Sequence, residues 1–421
     1  MKPTPAPAPR LVPLALALAC TGAAPGADAW PQFRGPGEQG WSDATGMPLH
    51  WSEHEHVLWR TALPGEGWSS PVVGADAVWL TTALDGGHSL HAIKVDLATG
   101  RILIDTEVFT NEMVPVKHDR NSHASPTPVL DNDRVYVHFG AMGTACLASS
   151  DGHKIWENRQ LKVNFEVGAG GSPILYHDRL LITCDGTDDQ FEVALDAKTG
   201  KQLWRVERSA VERLKKVSPS SRKCFGTPLI LHLDGRDESL SAAAERLYAY
   251  DPLSGNELWH VDYTGYSNAA LPVADGKMLI LPTGYDHSQI WGVTLGSLSG
   301  DVTATHVAWK VRLPGVSQAS PLLIGGRAYI LTDSGIMHCL DEGNGTVLWK
   351  ERLGTDFAAS PIFVDGRIYC FDTKGTATIL APGDAVSVLA TNKLEDGCMA
   401  SPAVVGKSLI VRTKSGLYRI E

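Results

Sequence analysis

Few residues of this 421-residue chain stand at spacings that do chemistry, and each such group is local. Cys184-Asp-Gly-Thr-Asp-Asp-Gln190 gathers three carboxylates that could hold calcium through oxygen ligands. It lacks the alternating acidic spacing of a calcium loop, so it reads as an acidic hairpin turn. His54-Glu55-His56 alternates, and on a strand both imidazoles would share a face. No third ligand stands near, so a solvated edge strand is expected there. The stretch GAGGSP at 168–173 opens a strand and not the helix a dinucleotide fingerprint requires. No Ser/His/Asp set can be assembled, and no P-loop occurs. The sequence therefore assigns no catalytic residue and no metal ligand.

Charged residues make up 20% of the chain and apolar ones 43%, a globular composition. The net charge of −10 gives no basic face and argues against nucleic acid as a partner. Lys2 and Arg10 precede the short apolar run from Leu11 to Ala19, and Ala27-Asp28-Ala29 offers a cleavage site. Residues 1–29 are expected to be a secretory signal, followed by a lead-in segment at 30–48. Export to the periplasm or the extracellular space follows. Acylation of Cys20 is the alternative, although Ala17 stands where such sites carry Leu. No stretch is long and apolar enough for a transmembrane helix. Cys146, Cys184, Cys224, Cys339, Cys370 and Cys398 remain, either as disulfides of an exported protein or as buried thiols within apolar strands.

The strongest pattern is repetition. ALDAKTGKQLW at 194–204 returns as AYDPLSGNELW at 249–259 and CLDEGNGTVLW at 339–349. A second element, a small residue, Ser or Thr, then Pro and an apolar run, places prolines at 71, 126, 173, 228, 272, 321, 361 and 402. Such spacing fits one four-stranded propeller blade per unit. Within the turn, Asp196 accepts backbone N–H groups and Gly200 supplies positive φ. The Trp that follows is expected to wedge between blades, at Trp59, Trp156, Trp204, Trp259, Trp309 and Trp349, with Ile104 in its place once. The only helical stretch suggested is 209–216. HVLWRTALPG at 56–65 matches HVAWKVRLPG at 306–315, while the chain stops at LYRIE where a last outer strand should begin. The expectation is an all-β, eight-bladed propeller of four-stranded antiparallel blades over 49–421. Its N-terminal strand completes the C-terminal blade, which leaves only short, protected edges.

In such a ring the residues before each Ser-Pro descend to the mouth of the channel. This picks out Glu66, Trp68, Asn121, His123, Lys223, Asn268, Gln318 and Asp356, with Cys224, Phe225, Cys398 and Met399 at equivalent places. A concave funnel with a few polar groups is the form of a ligand site. Arg213, Lys215, Lys216, Arg222 and Lys223 form a basic stretch expected to be a solvated loop.

The pattern complete in Ala194, Asp196, Thr199, Gly200 and Trp204 resembles the tryptophan-docking motif of the pyrroloquinoline-quinone (PQQ) type propellers. With WPQFRGPG at 30–37, RNSHASPTPV at 120–129, GAGGSPIL at 168–175, CDGTDDQ at 184–190 and LYRIE, the chain is similar to exported PQQ-like propeller repeat proteins. That resemblance implies eight blades and two directions of function. One, as in the propeller lipoprotein of the outer-membrane barrel-assembly machinery, is a non-catalytic scaffold. It would be a monomer binding an envelope or extracellular protein, or a small ligand, with no cofactor. The other is a quinoprotein alcohol dehydrogenase with PQQ and calcium. The adjacent cysteine pair usual in that branch is missing, and its calcium ligands are not placed by spacing.

Overall fold

A computed structural model describes residues 29–421, except Ala75. The predicted signal segment, apart from Ala29, and Cys20 with it, lie outside the described residues. Eight antiparallel sheets follow one another along the chain, at 72–110, 129–158, 174–207, 229–262, 273–312, 322–352, 362–393 and 403–420. We call them blades 1 to 8. In blades 1 to 7 the four strands pair in sequence order, and a short parallel strand is added beyond the first strand of blade 7, at Trp41–Ser42, and beyond the last strand of blade 4, at Gly300–Asp301. Blade 8 takes its fourth strand from the N-terminal side, where Val57–Ala62 runs antiparallel to Gly416–Ile420. Apolar residues of adjacent blades make the cores. One cluster unites Val73, Leu80 and Ile93 of blade 1 with Ile362 of blade 7 and Leu409 and Tyr418 of blade 8.

The recurring Asp-turn-Gly-Trp motif is a joint between blades. Asp196 Oδ1 accepts the N–H groups of Lys198 and Thr199, at 3.0 and 2.8 Å, and closes the turn. Gly200 has φ +69°, and a Cβ there would lie 2.4 Å from the Trp156 ring. The turn of one blade thus receives the indole of the blade before it. Gly100 receives Trp59, Gly255 receives Trp204 and Gly345 receives Trp309 in the same way. Each of these indoles also donates to a carbonyl of the receiving turn, as Trp156 Nε1 does to Ala197 O at 2.9 Å. Trp349 makes the equivalent bond to Gly383 O. Trp259 differs, since its N–H goes to Glu238 Oε2 within its own blade. At Gly152 the neighbours are Ile104 and Thr106.

The Ser/Thr-Pro element is a joint at the centre. In the residue before each Pro, the backbone N–H donates to the equivalent hydroxyl of the next blade. Ser70 donates to Thr127, Thr127 to Ser172 and Ser172 to Thr227, at 3.0, 2.9 and 3.0 Å. Leu271 donates to Ser320, Ser320 to Ser360 and Ser360 to Ser401, each at 2.9 Å. Ser401 donates to Ser70 at 3.1 Å and so joins the last sheet to the first. The step from Thr227 has no hydroxyl to meet, because Leu271 stands there. This register corrects one expectation: in ASPTPV the structural pair is Thr127-Pro128, not Ser125-Pro126, since the strand begins at Val129.

The segment before Val57 closes one end of the ring. Each inner strand has an edge N–H two residues after its Pro, and five of these find acceptors in residues 30–40. Val73 donates to Trp30 O, Leu130 to Pro31 O, Ile230 to Glu38 Oε2, Ala274 to Gln39 Oε1 and Phe363 to Gly40 O, at 2.8 to 3.1 Å. The Arg34 guanidinium donates to Pro321 O and Pro361 O of blades 6 and 7, and to Glu38 O and Gln39 O. Open strand edges are thereby covered by a segment built to pair with them.

Two local expectations change. His54 and Glu55 lie in a bend, and His56 has φ +61°, so the strand starts only at Val57. The 209–216 stretch contains one helical turn, Val211–Leu214.

Candidate functional site: the axial chamber and its mouth

The ring encloses a cavity of about 480 Å³. Its wall contains six hydroxyls of the central joint, Ser70, Thr127, Ser172, Thr227, Ser360 and Ser401. Phe33 of the lead-in segment also lines it, so the segment that pairs with the inner strands is the floor. At the other end stand Trp68, Lys223, Phe225, Tyr266, Tyr285, Gln318 and Met399. Volumes of this size suit a small ligand or the tip of a loop.

The mouth is crossed by a strap. Residues 111–128 link the outer strand of blade 1 to the inner strand of blade 2, and His118, Arg120 and Asn121 from this loop line the cavity. On the near side Asn121 Nδ2 donates to Val167 O and Ala169 O, at 2.9 and 3.1 Å. On the far side Arg120 Nη1 donates to Asp356 Oδ1 at 2.8 Å, and Nη2 lies 3.5 Å from Gln318 Oε1. Gln318 and Asp356 precede blades 6 and 7, across the ring from blade 2. Lys117 adds an ion pair with Glu66 at 3.0 Å.

The residues singled out from sequence divide in four. Trp68, Asn121, Lys223 and Gln318 line the chamber, as do Phe225 and Met399. Asp356 stands behind Arg120. Glu66 and His123 line a different hollow with Lys117 and the Gly65 and Asp85–Gly87 turns, and burial depresses the His123 pKa. Asn268 is fully buried and structural, with Nδ2 donating to Pro282 O and Oδ1 accepting from Ala270 N. Arg120, His118, Tyr266 and Tyr285 were not among the sequence candidates. Their position depends on loops reaching over the ring, which spacing does not reveal. The hydroxyls were in plain view in the Ser/Thr-Pro repeat.

Other candidate groups are engaged elsewhere. Asp185 is buried against Arg208 in a two-bond pair at 2.9 and 2.8 Å, Asp189 pairs with Arg205, and Asp188 caps Asn164 N. The CDGTDDQ carboxylates are therefore structural. In the basic stretch, Arg213 meets Glu245, Lys215 meets Glu212 and Lys223 meets Glu166. All six described cysteines are free and buried, which closes the disulfide alternative. Burial pushes the thiols up, to about 11 at Cys146 and Cys339 and about 12 at Cys224, so they are poor nucleophiles.

A family model described as outer membrane protein assembly factor BamB matches residues 49–183, 91–262 and 243–418. The chain belongs to that family. Among solved structures it is similar to the quinohemoprotein alcohol dehydrogenase from Comamonas testosteroni, with a TM-score of 0.68 and 12% identity over 94% of this chain and 81% of that one. BamB from Moraxella catarrhalis gives 0.60 and 13% over 86% and 99%. A europium-containing methanol dehydrogenase gives 0.66 and 12% over 93% and 91%. At these identities the likeness is one of fold. No curated protein sequence matches the chain.

The donor set of the chamber does not suit a quinone held by calcium. Calcium needs six or more oxygen ligands, usually including carboxylates. Among the described residues no Asp or Glu lines the chamber. The side-chain oxygen of Asn121 already accepts from Ser122 N and the Ser125 hydroxyl. Asp356 is held by Arg120.

Proposed function

We propose that the protein is an exported, non-catalytic scaffold that binds an envelope or extracellular protein, or a small ligand, at the mouth face of its ring. The observation that carries this reading is the chamber itself. It is lined at the floor by Phe33, spanned by a strap at the mouth, and walled by aromatic, hydroxyl and cationic groups, with no carboxylate among the described lining residues to orient a base or hold a metal. Family membership supports the scaffold side, since the family's description is an assembly factor. The strap also presents apolar groups to solvent: Met113 is 88% exposed and Val116 78%. A partner docking on the mouth face would meet both of these side chains. No helix among the described residues is long and apolar enough to cross a membrane.

The test is affinity capture from envelope extract, with wild type and a Met113→Ser/Val116→Ser variant compared by mass spectrometry. A protein or small molecule retained by the first and lost from the second supports the reading. Stoichiometric binding of PQQ with calcium, together with dye-linked alcohol oxidation, would replace it with the dehydrogenase reading.

A further inference from the structure

The hydroxyls of the central joint have a second face. Ser70, Thr127, Ser172, Thr227, Ser360 and Ser401 line the chamber while each is less than one-tenth exposed. Every one of these oxygens accepts a backbone N–H from the preceding blade. A serine or threonine hydroxyl also carries one proton to donate. Ser360 gives its proton to Ser320 Oγ at 3.2 Å. Among the described residues the other five have no protein acceptor for theirs.

Accepting an N–H polarises a hydroxyl and makes it a better donor in turn. Five such donors on one wall call for acceptors that the protein does not supply. An independent group points the same way: the indole N–H of Trp68, another lining residue, is buried with no acceptor. The charged groups of the lining, Lys223 and Arg120, are both cations. Each faces a carboxylate outside the wall, Glu166 and Asp356. The wall is thus rich in donors and free of anions.

We infer that this crown of hydroxyls is a binding site for the oxyanion group, carboxylate or phosphate, of a small molecule. The inference rests on the chamber being a ligand site and adds the chemistry of the ligand's inner end. Several hydroxyl donors converge on the oxyanion, and Trp68, Phe225 and Tyr266 are left to contact the rest of the molecule. The chamber of about 480 Å³ has room for more than the anion alone.

Calorimetric titration of the purified mature protein with inorganic phosphate, sulfate and acetate tests this. The variants are Thr127→Val and Thr227→Val, which keep side-chain shape, and Ser172→Ala. Phenol, followed by saturation-transfer NMR, serves as a neutral aromatic probe of the same chamber. The expected result is saturable binding of at least one anion, weakened fivefold or more in each variant that still melts cooperatively. Phenol binding should change less than twofold. Anion binding unchanged in folded variants, or no anion binding to folded wild type while phenol binds, would overturn the crown and leave the chamber as a ligand site. Failure of both anions and phenol to bind would remove the two together.

Discussion

The floor and the mouth of the ring are built from similar material, a loop reaching from one side of the ring to the other, and they are held by opposite physics. At the floor, residues 30–40 meet edge N–H groups and carbonyls of blades 1, 2, 4, 5, 6 and 7, and Trp30, Arg34 and Glu38 are buried. At the mouth, the strap touches the far side through Arg120 alone, in an ion pair whose side chains are 41% and 33% exposed. Buried polar contacts left unmade are expensive, whereas exposed ion pairs are nearly free to break. The floor is architecture, and the mouth is the end free to move.

Among substitutions, the largest loss of stability is expected at Arg34. Its guanidinium holds four carbonyl oxygens with no carboxylate beside it, and burial pushes its pKa down to about 9. Arg34→Ala leaves those carbonyls buried and unpaired, and should cost about 4 kcal/mol in urea or guanidinium melts. A loss below about 1 kcal/mol would mean the floor is not structural. The blade joints come next. Trp156→Ala should cost about 3 kcal/mol, and Trp204→Ala about 2 because that indole is only half-buried. Reversal of this order in denaturant melts would show that burial does not set the strength of the joints.

Glu38 gives the floor a pH dependence that the mouth should lack. It is buried, accepts from Gln32 Nε2 and Ile230 N, and burial pushes its pKa up to about 8 from a usual value of 4.5. The folded state then holds this proton more tightly than the unfolded state does. Its contribution to stability is whole below pH 4.5 and is lost as pH rises through 8. Wild type should lose on the order of 4 kcal/mol between pH 5 and pH 9 through this group. Glu38→Gln should flatten that slope when stability is followed by denaturant titration at several pH values. An unchanged slope would assign the pH dependence elsewhere.

The sequence showed the ring because packing devices must recur in every blade. Asp196, Gly200 and Trp204 carry their roles in their own types, and the missing outer strand could be found by comparing two ends of the chain. What the pattern hid were contacts between units. Gly200 is needed for Trp156, one blade back, and nothing within ALDAKTGKQLW reveals that. The double proline of ASPTPV left two registers open, and only the N–H of Ser70 reaching Thr127 chooses between them. Glu66, His123 and Asn268 satisfied the rule for the mouth but were drawn away by local partners. Arg120 satisfied no rule and reaches a residue 236 positions away.

At the far latch of the strap, stability and motion separate. Arg120→Ala or Asp356→Asn removes the far latch of the strap, and exposed pairs of this kind contribute under about 1 kcal/mol to folding. Melts should therefore barely move. Hydrogen exchange should respond where stability does not, because the near anchors at Asn121 hold only one end of the loop. Peptides covering 111–120 should exchange faster in either variant, and in wild type at high salt, since screening weakens the same pair. Peptides covering 30–40 should stay protected under every one of these conditions. Equal protection at both ends would mean that the strap is as fixed as the floor and that a ligand must find another way into the chamber.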